Sequence, residues 1–277
     1  MEYVELNIVA KSEEQAEIFM AQLSDFAFEA FNCEGDRLQA YALVEEYEAC
    51  AAEVEALLAE CQAEYTISRV EQQNWNAEWE ESFEPVDVAS SPAVRIRAQH
   101  HTPPAEGVVD VVIAPRMSFG TGHHTTTALM TESIVAQSFS GGRGLDMGCG
   151  TGVLAIVALK CGAEQMTAVD IDDWACDSCR DSIALSGVAE RVDVRCGSIG
   201  VVSGEKYDFV LANINRNILL DMMPSFAEAL DEGGVLLMSG FFPEDADIVA
   251  AAADECGFSL QARRERDGWA VVECIKR

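Results

Sequence analysis

Leu145-Asp146-Met147-Gly148-Cys149-Gly150-Thr151-Gly152, running directly into Val153-Leu154-Ala155-Ile156-Val157-Ala158-Leu159-Lys160, is the stretch that decides the fold. Gly144–Met147 reads as a strand and Val153–Lys160 as a helix, so three glycines at alternate positions form a tight turn between them. Glycines permit that turn and let a ligand approach the backbone without meeting a Cβ. The start of the helix adds N–H groups with no partner in the helix itself. Dinucleotide-binding folds place G-x-G-x-x-G at this point; here the spacing is G-x-G-x-G, with Asp146 two residues ahead of Gly148. Met166–Asp170 is the next strand, and Asp170 ends it 22 positions beyond Gly148. An acidic residue at that place accepts both hydroxyls of a ribose. Asp172 or Asp173 then caps the following helix.

The alternation continues outward from this turn. Val192–Cys196, Phe209–Ala212 and Val235–Ser239 read as strands, and Asp173–Leu185, Arg216–Leu230 and Pro243–Glu255 as helices. Ser259–Arg264 and Trp269–Ile275 close the chain as a hairpin, and short strands precede the turn around Ala93–Ala98 and Val108–Ile113. Strands and helices in this order predict an α/β, doubly wound, Rossmann-like sheet with its ligand at the C-terminal strand ends. Asn213 stands at such an end, in Leu211-Ala212-Asn213-Ile214-Asn215-Arg216. Its side-chain carbonyl is suited to align an amine or the ligand, or else to cap the loop.

The glycine turn with its leading aspartate resembles motif I of class I methyltransferases, in which the loop packs against the amino-acid end of S-adenosylmethionine. Many amine methyltransferases carry Asn-Pro-Pro-Tyr after the fourth strand; this chain keeps Asn213 and lacks the prolines and tyrosine. Upstream, Ser118-Phe119-Gly120-Thr121-Gly122-His123-His124-Thr125-Thr126-Thr127 leads into an apolar helix from Ala128. Small and hydroxyl residues suit a cover over the cofactor, although capping by Thr125 or Thr126 explains part of the pattern. His123 and His124 admit a general-base or metal-ligand reading. Methyl transfer to an amine needs neither, and no metal is expected.

Residues 1–71 form a separate pattern. Tyr3–Val9 alternates as a strand, and Glu13–Leu23 has helical spacing with Ser12 as its cap. Phe26–Cys33 and Leu38–Val44 read as strands about a turn at Glu34-Gly35-Asp36, Ala49–Cys61 as a helix and Tyr65–Val70 as a last strand. Strand, helix, strand, strand, helix, strand is the ferredoxin-like order. Between the two patterns, Trp75, Trp79 and Phe83 recur at i, i+4 and i+8, so a linker helix over 72–85 places all three on one face. The expected organisation is a ferredoxin-like domain over 1–71, an aromatic linker over 72–85 and a methyltransferase domain over 86–277.

Charge restricts the partners. With 48 acidic and 18 basic residues the formal charge is −30. Such a field repels nucleic-acid phosphates and anionic membranes and attracts basic partners. No apolar run reaches the roughly 18 residues of a membrane span, and the acidic N-terminus lacks the order of a signal peptide. A cytoplasmic, monomeric protein with no free nucleic-acid or membrane partner is expected. Ten cysteines in such a chain suggest reduced thiols, and Cys176 and Cys179, the lone C-x-x-C pair, suggest packing.

Taken together, these segments resemble the ribosomal protein L-eleven methyltransferase family over nearly the whole chain. The most specific element is Phe119-Gly120-Thr121-Gly122-His123 followed by threonines; Trp75, Trp79, Pro85, the glycine turn, Asp170 and Asn213-Ile214 add to it. The resemblance implies S-adenosylmethionine contacts at Thr127, Gly148, Asp170 and Asn213, to which the turn and cover add Asp146, Gly150, Phe119 and Gly120. It implies methylation of amino groups on a basic ribosomal protein, gripped by the ferredoxin-like domain, with Asn213 as the catalytic candidate. The chain departs from the family at Pro115-Arg116, where Pro-Gly is usual, at Thr125, where a proline is usual, and at Asn215-Arg216-Asn217. Competing readings are a methyltransferase for another protein, a nucleobase or a small molecule, and a non-catalytic ribosome-assembly adaptor.

Overall fold

The computed structural model describes residues 2–24, 26–28, 30–61, 63–71, 83–114, 120–137 and 139–277. The expected helix over 72–85 lies outside the described residues except for its last three positions. The chain divides into two compact units, Met1–Ala77 and Glu78–Arg277.

In the first unit, β1 (Glu2–Val9), α1 (Glu13–Leu23), β2 (Ala30–Glu34), β3 (Arg37–Leu43), α2 (Val44–Glu60) and β4 (Glu64–Glu71) follow the expected order. The sheet runs β2-β3-β1-β4 with every neighbour antiparallel, which is the ferredoxin-like arrangement. Period-two alternation buries Val4, Leu6 and Ile8 against Phe19 and Leu23 of α1 and Leu58 of α2. Ser12 caps α1, its side chain accepting from the Gln15 N–H. Two boundaries differ from expectation. β2 begins at Ala30 rather than Phe26, because the chain first turns, with Phe26 N–H bonded to Leu23 O, and drops Phe28 into the core. α2 begins at Val44 rather than Ala49, because β3 passes straight into it with no side-chain cap to mark the start.

The second unit opens with a small sheet of β5 (Val86–Val88), β6 (Val94–Ala98) and β7 (Val109–Ile113). There follow α3 (Thr125–Gln137), β8 (Arg143–Met147), α4 (Val153–Lys160), β9 (Gln165–Asp170), α5 (Asp173–Leu185) and β10 (Val192–Cys196). The chain continues through β11 (Tyr207–Asn213), α6 (Arg216–Ala229), β12 (Leu230–Phe241), α7 (Ala246–Glu255), β13 (Phe258–Arg266) and β14 (Trp269–Lys276). The large sheet has the order β10-β9-β8-β11-β12-β14-β13; its first five strands are parallel, and β14 is antiparallel to both its neighbours. Helix α4 is buried from Val153 to Leu159, as its unbroken apolar run demands. Pro243–Asp245 form a separate short turn, so α7 starts at Ala246 rather than Pro243.

Strand order reverses between β8 and β11, since the chain first builds outward through β9 and β10 and then returns to the other side of β8. Helices leaving to opposite faces open a crevice at this switch point. Met147, Asp170 and Asn213 are the last residues of β8, β9 and β11, so three neighbouring strands deliver them to one edge.

Candidate functional site

The glycine turn is held from below by strand β9 and from behind by Asp146. Gly148 and Cys149 donate their N–H groups to Val169 O at 2.8 and 3.1 Å. Gly148 adopts φ 73°, and a Cβ there would also collide with the Ile214 side chain. Gly152, at φ 76°, precedes α4; a Cβ on it would lie 2.5 Å from Cys179 Sγ. Both positions require glycine for conformation and for space. Asp146 is 1 % exposed and accepts the Ala155 N–H at 3.0 Å, fixing the first turn of α4. Burial pushes its carboxyl up to about 7. It therefore stands behind the loop rather than in the cavity wall.

Asp170 reaches toward the loop from the other side. Its Oδ2 accepts the Gly150 N–H at 2.9 Å and its Oδ1 the Asp172 N–H at 3.1 Å. Between these walls lies a cavity of about 550 Å³, lined by Gly148, Gly150, Asp170, Asn213 and Trp269 among others. That volume suits a small-molecule ligand. A second cavity of about 430 Å³ shares Asn215, Gly240 and Trp269 with the first.

Asn213 is the polar group that asks for a ligand. It is 9 % exposed, and its Oδ1 has no hydrogen-bond partner among the described residues. A buried acceptor left this way costs about 1–3 kcal/mol, which a donor arriving in the cavity recovers. Thr127 Oγ1, fully buried near the start of α3, is likewise without a partner among the described residues.

The cover segment touches the loop. Thr151 Oγ1 donates to Gly120 O at 2.6 Å, and a Cβ on Gly120 would come within 2.9 Å of Thr151 Oγ1. Phe119 lies outside the described residues, as does Pro115-Arg116. His124 lines the large cavity; its ring meets Trp269 edge-on at 4.5 Å, and Nδ1 lies 2.7 Å from Thr126 Oγ1. Burial holds its imidazole below the ordinary histidine range. His123 instead packs edge-on against Phe83, which is buried. No group of three or more metal-ligating side chains occurs among the described residues.

The cysteines depart from expectation. Cys176 is joined in a disulfide not to its C-x-x-C neighbour but to Cys196. Cys179 packs under the glycine loop against Cys149, whose thiol is pushed well up by its hydrogen bond with Cys179 and by burial. The expectation of reduced thiols throughout is therefore corrected for one pair. Parallel pairing sets Cys196 beside Asp170, a neighbourhood that residue spacing does not reveal.

Apolar residues of the cavity walls that the sequence does not announce include Ile171, Ile218, Met222, Phe242 and Trp269. Phe241 is 2 % exposed and Phe242 48 %, so the second of two adjacent phenylalanines faces outward. Trp269 follows the Asp267-Gly268 turn of the last hairpin, where an aromatic beside a tight turn is the one available cue.

Comparison with known proteins supplies independent findings. The family model described as "Ribosomal protein L11 methyltransferase (PrmA)" matches residues 5–277. A protein of that name from Porphyromonas gingivalis is 37 % identical over 263 residues, covering 92 % of this chain and 89 % of the relative. Another of the same name, from Phocaeicola vulgatus, is 35 % identical and covers 99 % of each. Among solved structures, a ribosomal protein L11 methylase from Lactobacillus delbrueckii subsp. bulgaricus superimposes with a TM-score of 0.64 at 25 % identity, covering 70 % of this chain and all of that one.

Proposed function

The chain belongs to the ribosomal protein L11 methyltransferase family, and from that premise we propose that its cavity binds S-adenosylmethionine and serves methyl transfer to amino groups of ribosomal protein L11. The observation that carries the reading is the unpartnered Oδ1 of Asn213, buried at the switch point opposite Asp170. The donor set fits the cofactor. Asp170 offers a carboxylate to ribose hydroxyls, the glycine loop lets the amino-acid end lie against backbone, and about 550 Å³ is ample room. Gly150 lines it, Gly120 meets the loop through Thr151, Thr127 is proposed as a further contact, and Asp146 acts by holding the loop. Phe119 is proposed as part of the cover.

When bound, the cofactor supplies a methyl group activated by a sulfonium. The chain's own residues then position and desolvate the acceptor. Asn213 Oδ1 accepts a hydrogen bond from the incoming amine, which fixes the nitrogen and directs its lone pair. An amine attacks only when neutral, and the apolar wall of Ile214, Ile218 and Met222 favours the neutral form by excluding water. His124 contributes shape and a hydrogen-bonding edge at the cavity wall.

The residue-level organisation is also part of this proposal. Residues 1–71 recognise the protein substrate, 72–85 link, and 86–277 carry catalysis. The recognition segment has only Lys11, Arg37 and Arg69 as basic residues, and an acidic surface suits a basic ribosomal protein while disfavouring free nucleic acid and anionic membrane. No helix among the described residues is long and apolar enough to cross a membrane. The proposed setting is the cytoplasm, and the proposed working form is the monomer. The experiment is calorimetric titration with S-adenosylmethionine, followed by incubation with labelled cofactor and a ribosome-free lysate. Saturable binding and label on the L11 band support the proposal; label on another protein or on RNA would refute its substrate.

A further inference from the structure

The Cys176–Cys196 pair surrounds the backbone of the residue assigned above to the cofactor ribose. Cys176 sits in the first turn of α5, fully buried, with Sγ 3.5 Å from Asp170 O and 3.7 Å from Arg195 O. Cys196 ends β10, is exposed, and pairs in parallel register with Asp170. Its neighbour Gly197 donates an N–H to Asp170 O at 2.8 Å. The disulfide thus ties the helix that follows Asp170 to the strand that flanks it. On the opposite side, the Asp170 carboxylate is held by Gly150 N–H. A covalent bridge therefore closes one side of a clamp whose other side is the glycine loop.

Chemistry at the two sulfurs differs. The exposed Cys196 is open to an attacking reagent, whereas Cys176 is reached only through Cys196. Cys149 and Cys179 are both buried, and the thiol of Cys149 resists ionisation, so that pair is shielded from the same chemistry. A disulfide sulfur carries no hydrogen. Reduction would replace the covalent tie between α5 and β10 by a weak S–H contact from Cys176 to Asp170 O or Arg195 O, which constrains the two elements less.

We propose that Cys176 and Cys196 form a reversible thiol–disulfide site for small-molecule disulfides, and that its oxidised form presents Asp170 for tighter cofactor binding. The inference rests on the cofactor reading above. In the forward direction the Cys196 thiolate attacks a sulfur of oxidised glutathione, breaking its S–S bond and releasing one glutathione thiol. The Cys176 thiolate then attacks Cys196 Sγ and expels the second. Two protein thiols and one glutathione disulfide become one protein disulfide and two glutathione thiols, with the two protein hydrogens carried on the products. A dithiol reductant reverses both steps. Tying down the Asp170 loop before the ligand arrives strengthens binding by about three- to tenfold, the scale of ordering one or two side chains.

The test uses the full chain, reduced with dithiothreitol or treated with oxidised glutathione. Thiols are counted after denaturation, the bridge is mapped by peptide mass spectrometry, and S-adenosylmethionine affinity is measured by calorimetry in each state. Expected are a loss of two thiols from the ten present, a Cys176–Cys196 peptide, and the stated gain in affinity on oxidation. Cys196→Ser, an exposed substitution, is expected to form no bridge and to keep the reduced-state affinity under both treatments. A stable glutathione adduct on Cys196, a bridge elsewhere, or an unchanged count would overturn the site. Equal affinities despite the mapped bridge would overturn the coupling alone. Failure of both states to bind would instead refute the cofactor reading, and the coupling with it.

Discussion

Asp170 Oδ2 accepts the backbone N–H of Gly150 at 2.9 Å, so the acidic strand end and the glycine loop are already joined before any ligand enters. One carboxylate thus holds the loop and faces the cavity. Asp170→Ala is expected to weaken S-adenosylmethionine binding by about 2–3 kcal/mol, the scale for charge-assisted hydrogen bonds. The fold should survive, with thermal unfolding lowered modestly by loss of the hydrogen bonds from Gly150 and Asp172 N–H. Calorimetry returning the wild-type affinity would remove Asp170 from the site.

Gly148→Ala should damage both fold and binding. It forces a Cβ into a left-handed backbone conformation and against the Ile214 side chain. Urea unfolding should show a loss of about 1–3 kcal/mol, the range for such strained positions, together with loss of cofactor binding. Wild-type behaviour in either measurement contradicts the assigned tightness of this turn.

Asn213→Ala separates catalysis from stability. Removing an unpartnered buried acceptor relieves a desolvation penalty in the free protein. The melting temperature of the free variant should therefore hold or rise. Single-turnover methyl transfer should fall by about a hundredfold, the scale for losing one orienting contact. Full transfer rates in the variant would mean that Asn213 orients nothing.

These residues were legible to different degrees for physical reasons. The limits of Val153–Lys160 stand in the sequence because glycines bracket an apolar run, and Asp170 and Asn213 because each ends an apolar strand. Val44 was missed as a helix start since no capping side chain announces it. The Cys196 partner of Cys176 was missed because their approach depends on the β9–β10 register, which no local pattern encodes. Trp269 belongs to the cavity only through the antiparallel return of β14 beside β12, a relation between segments far apart in the chain.

Asp146 makes stability depend on pH in a defined direction. Its folded-state value of about 7 lies above the ordinary 3.8, with burial as the main cause. The native state therefore keeps a proton that the unfolded chain releases. This contribution is fully present below about pH 4 and is lost as pH rises through about 7. Asp146→Asn stays neutral while still offering an oxygen to the Ala155 N–H. Urea midpoints measured across that window should fall less steeply with pH in the variant; an identical slope would place the titration elsewhere.

Transfer of methyl groups from S-adenosylmethionine to amines of ribosomal protein L11 is read directly by intact-mass spectrometry of purified L11. After incubation with enzyme and cofactor, L11 should gain mass in whole steps of one methylene. These gains should map to Lys side chains or the N-terminal amine, and Asp170→Ala at limiting cofactor should strongly reduce them. An unmodified L11 mass, under conditions where calorimetry shows the enzyme saturated with cofactor, would contradict it.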